Sequence, residues 1–566
     1  MKSRGASEVL AVLGFTLALS LPFLGKPLHN DEPVFAAVGR HILNDPLHPL
    51  GFDYYWFGST LPMKRINTTP PGFHYLMALD CWLSGGREWL MRLVFLPFSL
   101  AAAWALYGLA SRFLERPLLP ALIVVACPAF IINMGHLMPE APSVALGLAG
   151  LWAAVKGADA VAPARRAGTV PSCEEGEWDE GGGQDDSRAC GPRAWWLAAA
   201  LLGASVLFKY NAALFIPAAL CYAASRAVPR ARLAAFAALA AAPAGLILAG
   251  DLLGDRAFAA RAWEVTAQSA SGWWSSLSHK ARSFLAFTGG CALVTGLWPY
   301  LAEYRRGLRA WHGLAAAAVV ALFLPAWDLA HVRLVDRTTG IVLSLGASLG
   351  LVRVFLGRGE VRGSRLWLPW LASAAVFQAF LYWSVMARTI LHMTAPMVFA
   401  LAAGMEALLG ARASKRLAWA SLCVVTALSL ALASVDYRYA TATKSFAEGV
   451  ARTRLEAGRT VYFTGAMGLQ YYLEKAGAKG LEVLQGGWDR VRPGESVVVL
   501  RINSVRSAPS KPRLADEHRQ VLDHPMPLRL MSGWEGEGGF YSNLSGFLPF
   551  SISRESLEEF SVVEMR

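Results

Sequence analysis

The chain has 566 residues, of which 55% are hydrophobic and only 17% charged, and a mean hydropathy of +0.37. That is too apolar for a soluble globular chain of this length, so a bilayer is the solvent for much of it. The formal net charge is +12, yet Lys and Arg concentrate in short turns between apolar segments instead of one patch with interleaved aromatics, which argues for membrane topology and against nucleic acid.

Apolar stretches of roughly 17 to 25 residues, enough to cross about 30 Å of hydrocarbon as a helix, recur from Val9 to about Ser434. The first, Val9–Leu24 behind Lys2 and Arg4, also fits a signal peptide, but it lacks an Ala-x-Ala cleavage site and reads as a retained helix. Further crossings are expected at Arg92–Ala110, Leu118–Met134, Ser143–Val155, Ala194–Leu207, Asn211–Ala224 and Leu233–Gly250. Six more follow at Phe284–Tyr300, Gly313–Trp327, Gly340–Val354, Leu366–Met386, Thr394–Leu409 and Ala418–Ser434. The fold class is therefore predominantly α: a membrane domain over residues 1–435 with about thirteen helices.

Basic turns at 112–116, 156–193, 226–232, 305–309, 353–365 and 412–416 alternate along the chain and mark the cytoplasmic side, with the N-terminus cytoplasmic as well. The opposite face then receives the first outer loop, residues 25–91, the Gly135–Pro142 turn, and the loops 251–282 and 328–339. The insertion 156–193, rich in Pro, Gly, Ser and acidic residues without apolar periodicity, is expected to be a disordered cytoplasmic loop. Cys173 and Cys190 lie in it with no His nearby and read as two reduced thiols. Residues 441–566 read as an extracytoplasmic α/β domain: Val461-Tyr-Phe and Ser496-Val-Val-Val-Leu as strands around a helix from Gly468 to Ala476, in the alternation of βαβ units. The aromatic stretch from Gly538 to Phe550 is expected to be a packed loop capping the membrane domain.

The residues with chemistry gather on the outer face. Asp31 and Glu32 follow the first helix in His29-Asn-Asp-Glu-Pro, where they either cap a helix through its dipole or serve a site, since acids at membrane depth are costly otherwise. Lys64, Arg65 and His74 flank the extended turn that Pro70-Pro71 forces, and Tyr54 to Phe57 read as an interfacial aromatic belt. His136 and Glu140 bring a second acid to that face in Gly135-His-Leu-Met-Pro-Glu-Ala-Pro. Lys209 interrupts an apolar hairpin, and Arg388, with His392 four residues on, opens another helix. Acids on one wall and isolated cations on the others describe a site for a hydroxyl nucleophile and a phosphorylated partner, Arg as a bidentate donor and Lys as a point charge.

This order resembles the membrane glycosyltransferases of the C-type fold that use lipid-phosphate sugars, among them the protein O-mannosyltransferases and aminoarabinose transferases of the family 39-like group. The stretches that carry it are Asn30-Asp-Glu-Pro, Thr69-Pro-Pro-Gly-Phe-His-Tyr, Pro139-Glu-Ala-Pro, Phe208-Lys-Tyr and Arg388-Thr-Ile-Leu-His-Met-Thr-Ala-Pro, and in the tail Phe463-Thr-Gly-Ala-Met-Gly-Leu-Gln-Tyr-Tyr. Thr69 stands where a basic residue is frequent in that group, and Glu140 where Asp is common. The resemblance implies an inverting transfer from a polyprenyl-phosphate sugar to a hydroxyl acceptor on the outer face of a bacterial inner membrane. Asp31 would be the base, and Glu32 would orient the acceptor or support the groups that touch it. Lys209, Arg388, Lys64 and Arg65 would hold the phosphate, with Glu140, His74, His136 and His392 in support.

No cofactor is expected. Glu140 and the histidines lack metal-ligand spacing, and no phosphate-binding Gly-rich loop opens a helix. Two other readings stay open: a transporter or flippase that binds an anionic lipid-linked substrate through Lys209 and Arg388, and an inactive relative.

Overall fold

The computed structural model describes residues 2–161, 186–254, 257–270, 277–292, 298, 310–324, 329–356, 363–502 and 514–565. The chain is mostly helical, with a small sheet domain at its C-terminal end. Among the described residues, seven helices are long and apolar enough to cross a membrane: Gly5–Phe23, Glu88–Phe113, Glu140–Val161, Arg230–Leu253, Leu334–Leu356, Ala387–Glu406 and Arg412–Leu455. Shorter apolar helices lie at Arg193–Phe208, Tyr210–Ser225 and Gly313–Leu322.

Several expected crossings differ in their bounds, each for a local reason. The one expected at Leu118–Met134 is two helices, Leu118–Ala126 and Pro128–Met134, because Pro128 has no N–H and pushes Cys127 into an extended conformation. The one expected at Leu366–Met386 stops as the helix Ser364–Val376, followed by the π-turn Phe377–Leu381 and an extended stretch. The last two form a single path from Ala387 to Val450, broken only at Gly410, whose φ of +71° suits glycine. This helix outruns the apolar run that ends near Ser434, because Val435, Tyr439, Thr443, Ala447 and Val450 continue one buried stripe at helical spacing. The stripe packs on the C-terminal domain, where Phe446 and Phe560 stack with ring centres 4.4 Å apart. The chain is thus still helical at Thr441, and the first strand of the tail is Val461–Phe463. Most of the 156–193 insertion, with Cys173, lies outside the described residues, and helices reach into it to Val161 and from Asp186.

The tail carries a five-stranded sheet in the order Lys479–Gly480, Val461–Phe463, Ser496–Leu500, Glu558–Met565, Leu514–Leu522. Its first three strands are parallel, with the helix Gly468–Lys475 beside them, the expected βαβ alternation, and the last two are antiparallel. The first outer loop meets this domain. Tyr54 and Tyr55 belong to a buried hairpin strand, Asp53–Trp56, paired with Ser59–Pro62, and Tyr55 Oη donates to the Leu481 carbonyl at 2.8 Å. Neither tyrosine is an interfacial belt: Tyr55 packs on the tail, and Tyr54, on the opposite face of the strand, is buried among Val34, Val38, Ile42 and Met63 of the first outer loop.

Candidate active site

The helix Glu32–Asn44 begins beside the membrane helices because the two residues before it turn sharply. Asn30 takes a positive φ of 50°, which Asn tolerates better than most residues, and Asp31 occupies the N-cap position. The Asp31 carboxylate makes no capping hydrogen bond. It accepts instead from Arg388 Nη1 at 3.0 Å, a partner 357 positions away. The helix-cap reading of Asp31 gives way to a long-range ion pair.

Glu32 is built quite differently. Its Oε1 accepts from Arg92 Nη1 and the Leu137 amide, and its Oε2 from Arg92 Nη2 and the His29 amide, all at 2.8–2.9 Å. Arg92 spends its remaining donors on the carbonyls of Lys26, Pro27 and Gly135. Both side chains are buried. Burial opposes the charge on Glu32, but the facing Arg92 guanidinium, with His136 and Lys26, outweighs it and holds the carboxyl at about 2. This pair ties together the segment leaving the first helix, the helix Glu88–Phe113 and the 135–137 turn. Glu32 therefore stands one layer behind Asp31, with its hydrogen-bonding capacity filled.

The second acid of the site comes from the turn so fixed. Glu140 opens the helix Glu140–Val161, where the helix dipole favours its charge. Lys209 follows the helix that ends at Phe208 and donates to Glu140 Oε1, while Arg388 Nε stands 3.7 Å from the same oxygen. Among the described residues, Glu140 Oε2 is buried with no hydrogen-bond partner. The Lys209 hairpin is seated by the Pro-Pro-Gly turn: a Cβ on Gly72 would lie 2.7 Å from the Leu207 carbonyl oxygen, so only glycine permits this approach. Side-chain exposure grades the four groups: Asp31 27%, Arg388 15%, Lys209 13% and Glu140 0%. Asp31 is the carboxylate that a ligand can reach, and Glu140 is the buried counter-ion between two cations.

The structure thus brings Asp31, Glu140, Lys209 and Arg388 together. His392 lies one turn after Arg388, buried against Phe215, and among the described residues neither ring nitrogen has a hydrogen-bond partner. His136 turns the other way, into a buried network with Lys26, Asp436 and the tail residue Tyr541. Burial, with the Lys26 ammonium beside it, lowers the His136 pKa. His74 is bound to Asn67 Oδ1 at 2.9 Å, and burial lowers its pKa to about 4. Lys64 and Arg65 are exposed on the short helix Met63–Ile66, whose Arg65 carbonyl accepts from Arg261.

Arg92, Lys26, Asp436 and Tyr541 were not singled out by the sequence reading. Arg92 and Asp436 had a signal, a lone charge in or beside an apolar crossing, which is the criterion that picked out Lys209. Lys26 and Tyr541 had none, because they matter only through partners distant in the chain. Among the described residues, no group of three or more His, Cys, Asp or Glu is arranged to hold a metal ion.

Chemically, the four groups offer one reachable carboxylate beside two partly exposed cations whose own counter-ion is buried. Such a site can take a proton at Asp31 while Arg388 and Lys209 receive an anion.

No protein-family profile matches the chain, and no curated protein matches its sequence. Solved structures similar in shape include ArnT from Cupriavidus metallidurans in the apo state, 13% identical, covering 87% of this chain and 93% of that one, with a TM-score of 0.36. ArnT bound to undecaprenyl phosphate is 12% identical over 88% and 92% of the two chains, with a TM-score of 0.37. The archaeal oligosaccharyltransferase AglB from Archaeoglobus fulgidus, in complex with an inhibitory peptide and a dolichol-phosphate, is 13% identical over 88% and 70%, with a TM-score of 0.47.

Proposed function

We propose that the chain is a membrane glycosyltransferase that moves a sugar from a polyprenyl-phosphate donor to a hydroxyl acceptor, a lipid, glycan or protein, on the outer face of the bilayer. The observation that carries this reading is the Asp31–Arg388 pair with Glu140 and Lys209 behind it: a reachable base next to two cations. All four residues sit at helix ends, as a site facing one side of a membrane requires. The motif order set out above supports the same reading.

In the reaction the acceptor oxygen attacks the anomeric carbon as Asp31 takes the hydroxyl proton. The bond from that carbon to the phosphate oxygen breaks, and the configuration inverts. The lipid phosphate leaves with one more negative charge. Arg388 and Lys209 meet that charge, and because it grows along the reaction their attraction is stronger in the transition state than in the ground state. Arg388 also passes from Asp31 to the phosphate, which frees the Asp31 oxygen for the acceptor proton. Glu140 keeps both cations in place without competing for solvent. The bacterial inner membrane, with the N-terminus cytoplasmic and the tail outside, fits the alternation of basic turns.

The test is transfer by the purified full-length chain in liposomes with a panel of polyprenyl-phosphate sugars and hydroxyl acceptors. Appearance of glycosylated acceptor together with free polyprenyl phosphate supports the reading. Donor crossing the bilayer without being consumed would replace it with a lipid transporter.

A further inference from the structure

We propose that the C-terminal domain completes the active site: its loop 538–546 sets the position of Arg388, with Asn543 as the positioning residue. This rests on the reading of Arg388 as a phosphate ligand.

Between the π-turn that ends at Leu381 and the helix that starts at Ala387, residues 382–386 have no helix of their own to satisfy their backbone. Buried amides need partners, so the neighbours that supply them decide where this stretch lies. The tail supplies them. The Val385 amide donates to Asn543 Oδ1 at 3.0 Å, and the Asn543 amide donates back to the Val385 carbonyl at 2.9 Å. Ser384 Oγ donates to the same Oδ1 at 2.7 Å, and the Ala387 amide donates to the Phe540 carbonyl at 3.0 Å. The last of these contacts is one residue before Arg388.

The loop is itself rigidly seated. The Asn543 carbonyl accepts from His279 Nε2 at 2.9 Å, and Asn543 Nδ2 donates to Ser283 Oγ at 3.3 Å, both on the helix Leu277–Cys291. Within the loop, a Cβ on Gly539 would fall 2.2 Å from the Gly546 carbonyl oxygen, so the turn closes as tightly as backbone allows. Tyr541 extends from the same loop to Asp436, farther along the chain path that begins at Ala387. Asn543 is buried and uses its amide N–H, carbonyl, Oδ1 and Nδ2, more than a loop that merely covers a surface requires. The Asn543 side chain fixes Ser384 and Val385, the latter three residues before Arg388, and the Phe540 carbonyl of the same loop fixes Ala387, so the loop controls the distance of the guanidinium from Asp31, and misplacements on the order of 1 Å at a reacting centre cost about 10²-fold in rate.

The experiment uses the full-length protein in detergent, with undecaprenyl phosphate as the binding probe and amide hydrogen exchange over residues 384–389. Asn543→Ala should accelerate that exchange and weaken undecaprenyl phosphate binding on the order of tenfold, while Asn543→Asp, which keeps the Oδ1 acceptor, should recover most of the affinity. In an Arg388→Ala background, Asn543→Ala should weaken binding no further, because the two act through one group. Equal, multiplicative losses in both backgrounds would overturn the proposal, as would faster exchange with wild-type affinity. If Asn543→Ala does not fold, Ser384→Ala, which deletes one hydroxyl bound to Asn543, carries the same comparison. The two ideas fail separately: wild-type binding by Arg388→Ala refutes the phosphate reading, and unchanged exchange at 384–389 in Asn543→Ala refutes the clamp.

Discussion

Arg388 and Asp31 stand 357 positions apart in the chain and 3.0 Å apart in the fold, and their pair is the outermost contact of a charge cluster that deepens toward Glu140. Exposure falls across this cluster from the outer carboxylate to the inner one, which cannot leave its cations without a large electrostatic cost.

The inner pair gives the first prediction. Lys209→Ala leaves Glu140 buried, with Arg388 3.7 Å away as its nearest described cation, and removing one partner of a buried pair costs about 3–5 kcal/mol. Adding Glu140→Gln to Lys209→Ala should restore most of the thermal stability in detergent while leaving transfer depressed. A double variant no more stable than Lys209→Ala would show that the pair is not coupled in this way.

Glu32 should behave as a support, and pH separates support from catalysis. The Arg92 guanidinium and its neighbours hold the Glu32 carboxyl at about 2 in the folded protein, against 4.5 for an unperturbed side chain. A folded-state pKa depressed in this way contributes stability above pH 4.5, on the order of 3 kcal/mol, and that contribution is lost as pH falls from 4.5 toward 2. The stability gap between wild type and Glu32→Gln, read from thermal midpoints, should therefore be widest above pH 4.5 and close toward pH 2. A gap that widened as the pH fell would contradict the assignment.

Arg92 offers a matching test of geometry over charge. Lysine keeps the charge but not the fork that reaches both Glu32 oxygens and three carbonyls, so Arg92→Lys should cost about 2–4 kcal/mol. Near-native stability for Arg92→Lys would mean that charge alone suffices there.

Much of this site was legible in the sequence, and the reason is physical. Acids and cations at membrane depth are rare because they are costly, so Asp31, Glu140, Lys209 and Arg388 announced themselves. Their shared location was argued from the alternation of basic turns, and the fold brings them into contact. The different surroundings of Asp31 and Glu32 were not legible, because neighbouring residues of one motif differ only in which way they point. The partners that decide it, Arg388 for one and Arg92 for the other, lie far along the chain. The tail was read as a small α/β domain from its strand and helix alternation, which the sheet order bears out. Its hold on residues 384–387 could not be read, since backbone-to-side-chain hydrogen bonds leave no periodic trace.

Gly72 supplies a prediction at the turn behind Lys209. Gly72→Ala places a methyl 2.7 Å from the Leu207 carbonyl oxygen, and the backbone leading to Lys209 must move to admit it. The expected cost is about 1–3 kcal/mol of stability, with a fall in transfer that exceeds the loss of folded protein. Activity per folded molecule equal to wild type would show that the approach of these two turns does not tune the Lys209 position.

The proposed role of Asp31 as the base is tested most directly by Asp31→Asn, since the amide keeps the size and loses the proton-accepting charge. With donor and acceptor both saturating, sugar transfer by purified Asp31→Asn should fall by about 10²–10⁴-fold, while undecaprenyl phosphate binding stays within a few-fold of wild type. Full transfer by Asp31→Asn would contradict the account.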